Sequence, residues 1–284
     1  MQNAAIHGGV QINPKTPLFI EVIFIAVAAI IYLATSNVFF IFNFLYIGSA
    51  ITIGLYFMAK HMKYARNIVL IAIGTYLLVY VGILGHENIS MSGFWYYLFL
   101  GVFEAAVIHF LIAKIVGPVF FGRGWCGYAC WTAMVLDLLP FKAPQNPRKN
   151  WGYIRYVLFV AIFILMTSLF IFKVSNLELI VFYLFVAGNL IYYIVGIVLA
   201  FYLKDNRAFC KYVCPIAVFL KISSYFSLLR VTVDEDKCVD CGKCVMGCPM
   251  DVDMLNNSRK RENGTECILC LNCIDNCSKD ALKL

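Results

Sequence analysis

Six long apolar runs leave this chain few folds to choose from: Leu18–Thr35, Val38–Ala59, Ile68–Leu84, Phe94–Val119, Tyr153–Phe172 and Leu177–Leu203. About 20 apolar residues in a helix cross the bilayer core, and lipid admits only backbone that satisfies its own hydrogen bonds. A soluble helical core is the alternative reading. The number and length of the runs argue against it, as does a 284-residue chain that is 62% hydrophobic and only 14% charged. The first and third runs are short, and the second and fourth carry glycine or polar residues, which membrane helices tolerate. The leading segment has Lys15 as its one lysine or arginine and no small-x-small site after a short apolar region. The first run therefore reads as a retained helix, not a cleaved leader.

Charge is unevenly distributed. Residues 1–229 carry a net +9 and residues 230–284 a net −2. Lys60, Lys63 and Arg66 separate runs two and three; Arg123, Lys142, Arg148 and Lys149 separate runs four and five; Lys204, Arg207 and Lys211 follow run six. The alternate loops are nearly free of basic residues. The positive-inside rule puts the basic loops, both termini and everything after residue 229 in the cytoplasm, with the chain in the inner (cytoplasmic) membrane. No alternation of basic and aromatic residues suggests a nucleic-acid partner. The surplus charge suits anionic lipid instead.

Eight cysteines crowd the last 50 or so residues. Cys238, Cys241, Cys244 and Cys248 form C-x2-C-x2-C-x3-C-P, and Cys267, Cys270, Cys273 and Cys277 form C-x2-C-x2-C-x3-C-S. This is the spacing of two-cluster bacterial ferredoxins, in which the fourth cysteine of each block ligates the other cluster. One [4Fe-4S] cluster is therefore expected on Cys238, Cys241, Cys244 and Cys277, and the other on Cys267, Cys270, Cys273 and Cys248. Structural zinc is the competing reading, and the duplicated spacing and the proline speak against it. Ser278 stands where Pro249 stands in the first block, so the turns after the two fourth cysteines are expected to differ. The loop Asn256–Arg261 reads as solvated. So small a segment needs its clusters to fold.

The other four cysteines form a repeat. Arg123-Gly-Trp-Cys126-Gly-Tyr128-Ala-Cys130 and Arg207-Ala-Phe-Cys210-Lys-Tyr212-Val-Cys214 both read R-x-x-C-x-Y-x-C. Each follows an apolar run and precedes a short amphipathic stretch, Ala133–Leu139 or Ala217–Leu228. Residues four apart share a helix face, so the four thiols can meet at the cytoplasmic edge. There they could bind a third iron–sulfur or metal centre, act as a redox dithiol, or only pack. Arg123 and Arg207 suit either thiolate stabilisation or anchoring at the interface.

Transmembrane haem is not supported, because of the four histidines only His109 lies clearly inside a run. Quinone chemistry asks for an apolar pocket beside a cluster and a proton acceptor. Glu104 and His109, five apart in run four, are weak catalytic candidates. A hydrogen-bonded structural role is favoured for His109. Glu21 is a third intramembrane polar group. Trp95, Tyr96, Tyr97, Trp125 and Trp131 read as interfacial belt residues.

The segments Trp125–Cys130, Phe209–Pro215 and Cys273–Asp280 together resemble the NapH family of membrane ferredoxins, to which NosR-type and CcoG-type proteins are related. The likeness covers the chain from run four onward and involves all twelve cysteines. It departs at Trp131, where the family has proline. It implies a quinol dehydrogenase-like subunit of a multi-protein oxidoreductase, exchanging electrons between the quinone pool and other redox subunits. A CcoG-type maturation or metal-reducing factor and a redox-coupled transport subunit are the other functional readings. The expected architecture is an all-α membrane domain of about six transmembrane helices (1–229) followed by a ferredoxin-like α+β domain with two [4Fe-4S] clusters (230–284).

Overall fold

A computed structural model describes residues 15–60, 62, 64–103, 105–257 and 264–284. Among them, five helices are long and apolar enough to cross a membrane. These are α1 (Lys15–Thr35), α2 (Phe39–Ala59), α3 (Ala65–Thr75, prolonged as a π-helix over Tyr76–Leu84), α9 (Ile154–Ile171, entered through a 3-10 turn) and α10 (Leu177–Leu203). Their outward faces are apolar, with residues such as Leu33, Phe172 and Leu190 exposed.

The fourth run is not one span. It breaks into α4 (Met91–Leu100) and a returning helix built of α5 (Ala105–Phe110), a π-helical stretch (Leu111–Val116) and α6 (Gly117–Phe121). Gly101 adopts a left-handed φ of 71°, and its N–H reaches back to the last turn of α4, a glycine cap that ends the helix. The Phe94 and Phe110 rings then stack with centroids 4.2 Å apart. On a straight helix, 16 residues would set them about 24 Å apart. The returning apolar helix, Val107–Phe121, is shorter than the five spans. Hydropathy merges the two arms because both are apolar. The π-helical stretch ends just before Pro118, which has no N–H to offer the carbonyl of Lys114.

At one pole of the bundle, several helix ends meet the cysteine loops and the segments beside them. Arg66, at the start of α3, donates to the Gly127 carbonyl (3.0 Å). Arg155, at the start of α9, donates to the Lys211 carbonyl. Asn146 donates to Leu203 at the end of α10 (3.0 Å). Short helices α7 (Gly124–Tyr128), α8 (Trp131–Leu136), α11 (Ala208–Tyr212) and α12 (Ala217–Ser224) form this pole.

The C-terminal module is closed by a two-stranded antiparallel ribbon, β1 (Thr232–Val233) with β2 (Leu282–Lys283), in the register Thr232 to Lys283. The ribbon joins its first and last residues. Between them lie single turns α13 (Lys243–Met246), α14 (Met254–Asn257) and α15 (Asn272–Asp275). So little regular structure leaves the cysteine loops to define the fold.

Candidate metal centres and the junction between them

The two cysteine blocks of the C-terminal module fold alike. In each, the residues two and four after the first cysteine have positive φ: Asp240 (49°) and Gly242 (69°), Leu269 (52°) and Leu271 (64°). Left-handed backbone on bulky leucines costs about 1–3 kcal/mol each and persists only where the surroundings impose it. Here it curls the loop so that successive sulfurs face one volume. The turns after the fourth cysteines match as well. Asp251 (52°) and Asp280 (49°) are left-handed, and the Val252 and Ala281 N–H groups each donate to the sulfur of that cysteine at 3.4 Å. The expected difference between Pro249 and Ser278 is absent, because the turn is set by the residue three after each cysteine.

One cavity is lined by Cys238, Cys241, Cys244 and Cys277; a second is lined by Cys248, Cys267, Cys270 and Cys273. Each volume thus takes three cysteines from one block and one from the other. No three His, Cys, Asp or Glu side chains among the described residues converge on a single metal ion. Burial pushes the Cys248 thiol up to about 11 and Cys267 to about 12, and raises Cys273 further. A buried set of four thiols keeps its protons unless a strongly positive partner displaces them. Ferric and ferrous ions of a cluster are such a partner, so these residues fit one.

The four remaining cysteines also come together. Cys126, Cys130, Cys210 and Cys214 line one cavity of about 250 Å³, with Lys114, Arg123, Trp125 and Trp131 beside them. From the cysteines the cavity continues between α9 and α10 along apolar residues such as Leu158, Ile162, Leu184 and Phe185, as far as Ser90 and Ser92. Burial raises the Cys130 and Cys210 thiols, and Cys214 to about 11. Two buried donors at this cavity, Arg123 Nε and Trp125 Nε1, have no hydrogen-bond acceptor among the described residues. Four thiols lining one cavity with unpartnered N–H groups fit an anionic group.

The two repeats clasp one another. Arg207 donates to the Cys126 carbonyl (2.8 Å), and Arg123 donates to the Cys210 carbonyl (3.5 Å). Both guanidiniums are almost wholly buried, which rules out interfacial anchoring. Arg207 pairs with Asp137 (2.5 Å), which also takes Arg66 (2.7 Å). Arg123 pairs with Glu266, which also takes Arg155 (2.8 Å), with Arg148 (3.5 Å) and Lys221 (3.9 Å) further out. Burial works to raise Glu266, but these cations outweigh it and hold the carboxyl at about 2. Asp137 is likewise held low by Arg207 and Arg66 against its burial.

Glu266 immediately precedes Cys267, so this ion cluster fastens the C-terminal module to the membrane-edge loops. Lys211 adds a second fastening, to Asp205 (2.7 Å) and Asp251 (2.5 Å). Tyr128 donates to the Leu269 carbonyl (2.9 Å), and the Arg123 N–H to the Cys267 carbonyl (3.3 Å). Gly127 permits the approach: a Cβ there would lie 2.3 Å from the Ile268 carbonyl oxygen. The Cys267 loop therefore sits directly on the membrane-edge cysteines. Sequence reasoning missed Asp137, Glu266 and Lys114. The lone acid in a basic loop, the acid abutting a cysteine block and the lysine inside an apolar run were the available signals.

Other expectations fare differently. Trp125 and Trp131 are not belt residues. Both line the cavity, and Trp131 Nε1 donates to Asn189 (2.6 Å) inside the bundle. The replacement of proline by Trp131 leaves the pair intact, since the Ala133 N–H reaches Cys130 as the Ala217 N–H reaches Cys214. His109 packs edge-on against Trp125 (5.0 Å), and its Nε2 has no hydrogen-bond partner among the described residues. Glu104, Lys63 and Ser258–Arg261 of the polar loop lie outside the described residues. Glu21 accepts from Ser49 (3.0 Å) and Thr52 (2.7 Å) and so ties α1 to α2.

Comparison with known proteins agrees with this geometry. Residues 230–278 match a family model described as a 4Fe-4S dicluster domain. A ferredoxin of Methanothermococcus thermolithotrophicus is 37% identical over 57 residues, which span 92% of it and 18% of this chain. The C-terminal region belongs to the ferredoxins. Residues 104–142 and 180–231, which hold the other four cysteines, match a model described as a 4Fe-4S binding domain. An uncharacterized protein of Methanocaldococcus jannaschii, MJ0749, is 29% identical over 68% of this chain and 77% of its own length. Protein NirI of Paracoccus denitrificans is 27% identical over 68% of this chain and 30% of itself. No solved structure matches the chain. The chain is a ferredoxin-type iron–sulfur electron-transfer protein with apolar helices suited to lipid.

Proposed function

We propose that this chain is a membrane subunit, of the NapH type in its motifs, that exchanges electrons between the quinone pool and a partner oxidoreductase. The observation that carries the reading is the cavity lined by Cys126, Cys130, Cys210 and Cys214. It adjoins the Cys267 loop at one end and is apolar along its length, as a quinone site beside a metal centre requires. In this reading Cys238, Cys241, Cys244 and Cys277 hold one [4Fe-4S] cluster, Cys248, Cys267, Cys270 and Cys273 a second, and the four membrane-edge cysteines a third. When bound, the clusters supply one-electron redox chemistry.

The chain's own residues supply position and environment. Gly127 and Tyr128 hold the membrane-edge cysteines against the Cys267 loop, and the Cys238 set lies beyond that loop, toward exposed Cys241. Glu266 and Asp137 keep the buried arginines paired and the junction rigid. Apolar walls exclude water. Lys60, Lys142, Arg148, Lys149 and Lys204 favour the cytoplasm for the ferredoxin pole by the positive-inside rule.

The test is iron and acid-labile sulfide analysis of anaerobically purified protein, with EPR-monitored reduction by a short-chain ubiquinol. About twelve irons per chain, with one EPR signal lost in Cys126→Ser and in Cys210→Ser, support the reading. About eight irons with turnover unchanged in both variants refutes the membrane-edge site. Signals that dithionite reduces and the quinol does not refute the quinone.

A further inference from the structure

Lys114 is a buried cation without a counter-ion among the described residues. It lies in the π-helical stretch of the returning membrane helix and is 2% exposed. No carboxylate among the described residues is within ion-pair distance of it. Every other fully buried cation at this pole has one: Arg123 and Arg155 have Glu266, Arg207 has Asp137, and Lys211 has Asp205 and Asp251. Its ammonium stands 3.9 Å from the centre of the Trp125 ring and 5.9 Å from that of Trp131. Ring faces of this kind attract a desolvated cation, but by less than burying it costs. A charge this expensive at lipid depth calls for a partner of opposite sign.

Among the described residues, the place for that partner is the cavity that Lys114 shares with Cys126, Cys130, Cys210 and Cys214. The acceptor-less Nε of Arg123 and Nε1 of Trp125 border the same space. Arg123 already has a carboxylate partner in Glu266, whereas Lys114 has none among the described residues, so Lys114 adds a positive charge at the cavity and the other two bring hydrogen-bond donors.

We propose that Lys114 is the resident counter-charge of the membrane-edge centre, and that it raises that centre's reduction potential by favouring the state carrying one more negative charge. The inference rests on the reading of the four cysteines as a cluster site. Net charge and hydrogen bonds at sulfur are the levers by which a protein tunes such a centre. Lys114 acts through the field at the cavity and touches no reacting atom of a substrate, so it is a positioning residue. It makes the membrane-edge site a better electron acceptor than the same site would be without that charge.

The test is a dithionite-poised EPR redox titration of the full-length, anaerobically purified protein and of its Lys114→Met, Lys114→Gln and Lys114→Arg variants. Expected is at least a tenfold shift of the one-electron equilibrium toward the oxidised form in both neutral variants, about 59 mV per tenfold. The signal affected is the one abolished by Cys126→Ser. The two ferredoxin signals should stay in place as internal controls of folding, and Lys114→Arg should restore the potential. An unshifted membrane-edge signal in Lys114→Met or Lys114→Gln overturns the proposal while leaving the cluster reading intact. Eight irons per wild-type chain and no signal sensitive to Cys126→Ser overturn the cluster reading itself, and this proposal with it.

Discussion

Replacing Glu266 with glutamine would remove the one negative charge shared by Arg123 and Arg155, neither of which has water to turn to. Two routes give the magnitude. Breaking a buried ion pair from one side costs about 3–5 kcal/mol, because the surviving charge stays buried. Independently, the carboxyl is held at about 2 against an ordinary value of 4.5, a gap equivalent to about 3 kcal/mol. Glutamine retains one acceptor oxygen, so the lower figure applies. Glu266 lies on the module and its cations lie on the membrane pole, so the loss falls on the junction. The open, undocked population should rise about a hundredfold. Hydrogen exchange read by mass spectrometry on the anaerobic holoprotein would show this as faster exchange at Gly127–Ala129 and Ile268–Leu271, with the α9 and α10 amides unchanged. Glu178→Gln, an exposed acid at the start of α10, is the control and should stay within about 0.5 kcal/mol of wild type. Equal junction exchange in the two variants would refute the claim that the ion cluster holds the module down.

Acid should act through the same groups. Glu266 and Asp137 have depressed values in the folded chain, so their stabilisation is complete above the ordinary carboxylate range and is lost as pH falls from about 4.5 toward 2. Tryptophan fluorescence during acid titration should show that transition move to higher pH in Asp137→Asn. Gly127→Ala drives a methyl into the Ile268 carbonyl and should slow electron exchange between the membrane edge and the module in stopped-flow traces, with iron content preserved. Gly101→Ala meets open space but a left-handed φ, so it should cost about 1–2 kcal/mol, read as a lower melting temperature. Under crossed ligation, Cys277→Ser and Cys238→Ser should abolish the same EPR signal, and Cys248→Ser should share its loss with Cys267→Ser.

Apolar runs, cysteine spacing and the R-x-x-C-x-Y-x-C repeat are local patterns, and by themselves they determined a bundle of apolar helices, a dicluster ferredoxin-type module and a second cysteine group. Spacing works because a sulfur's position relative to its neighbours depends on a few φ and ψ values, and the two blocks repeat those values at Asp240 and Leu269, Gly242 and Leu271. The break at Gly101 was out of reach because two apolar arms and one long apolar helix have the same hydropathy; only the stacking of Phe94 on Phe110 separates them. Which charges anchor and which pair was equally hidden. Arg123 and Arg207 look like surface cations until Glu266, 143 residues further on, and Asp137, 70 residues back, close over them. Lys114 stands out as a lone lysine in an apolar run, but that signal acquires meaning only from what surrounds it in space. Local sequence sets the chemistry each loop can perform. Long-range packing decides which loops share a cavity and which charges go unanswered inside it, because burial and field are sums over neighbours that the chain order does not record.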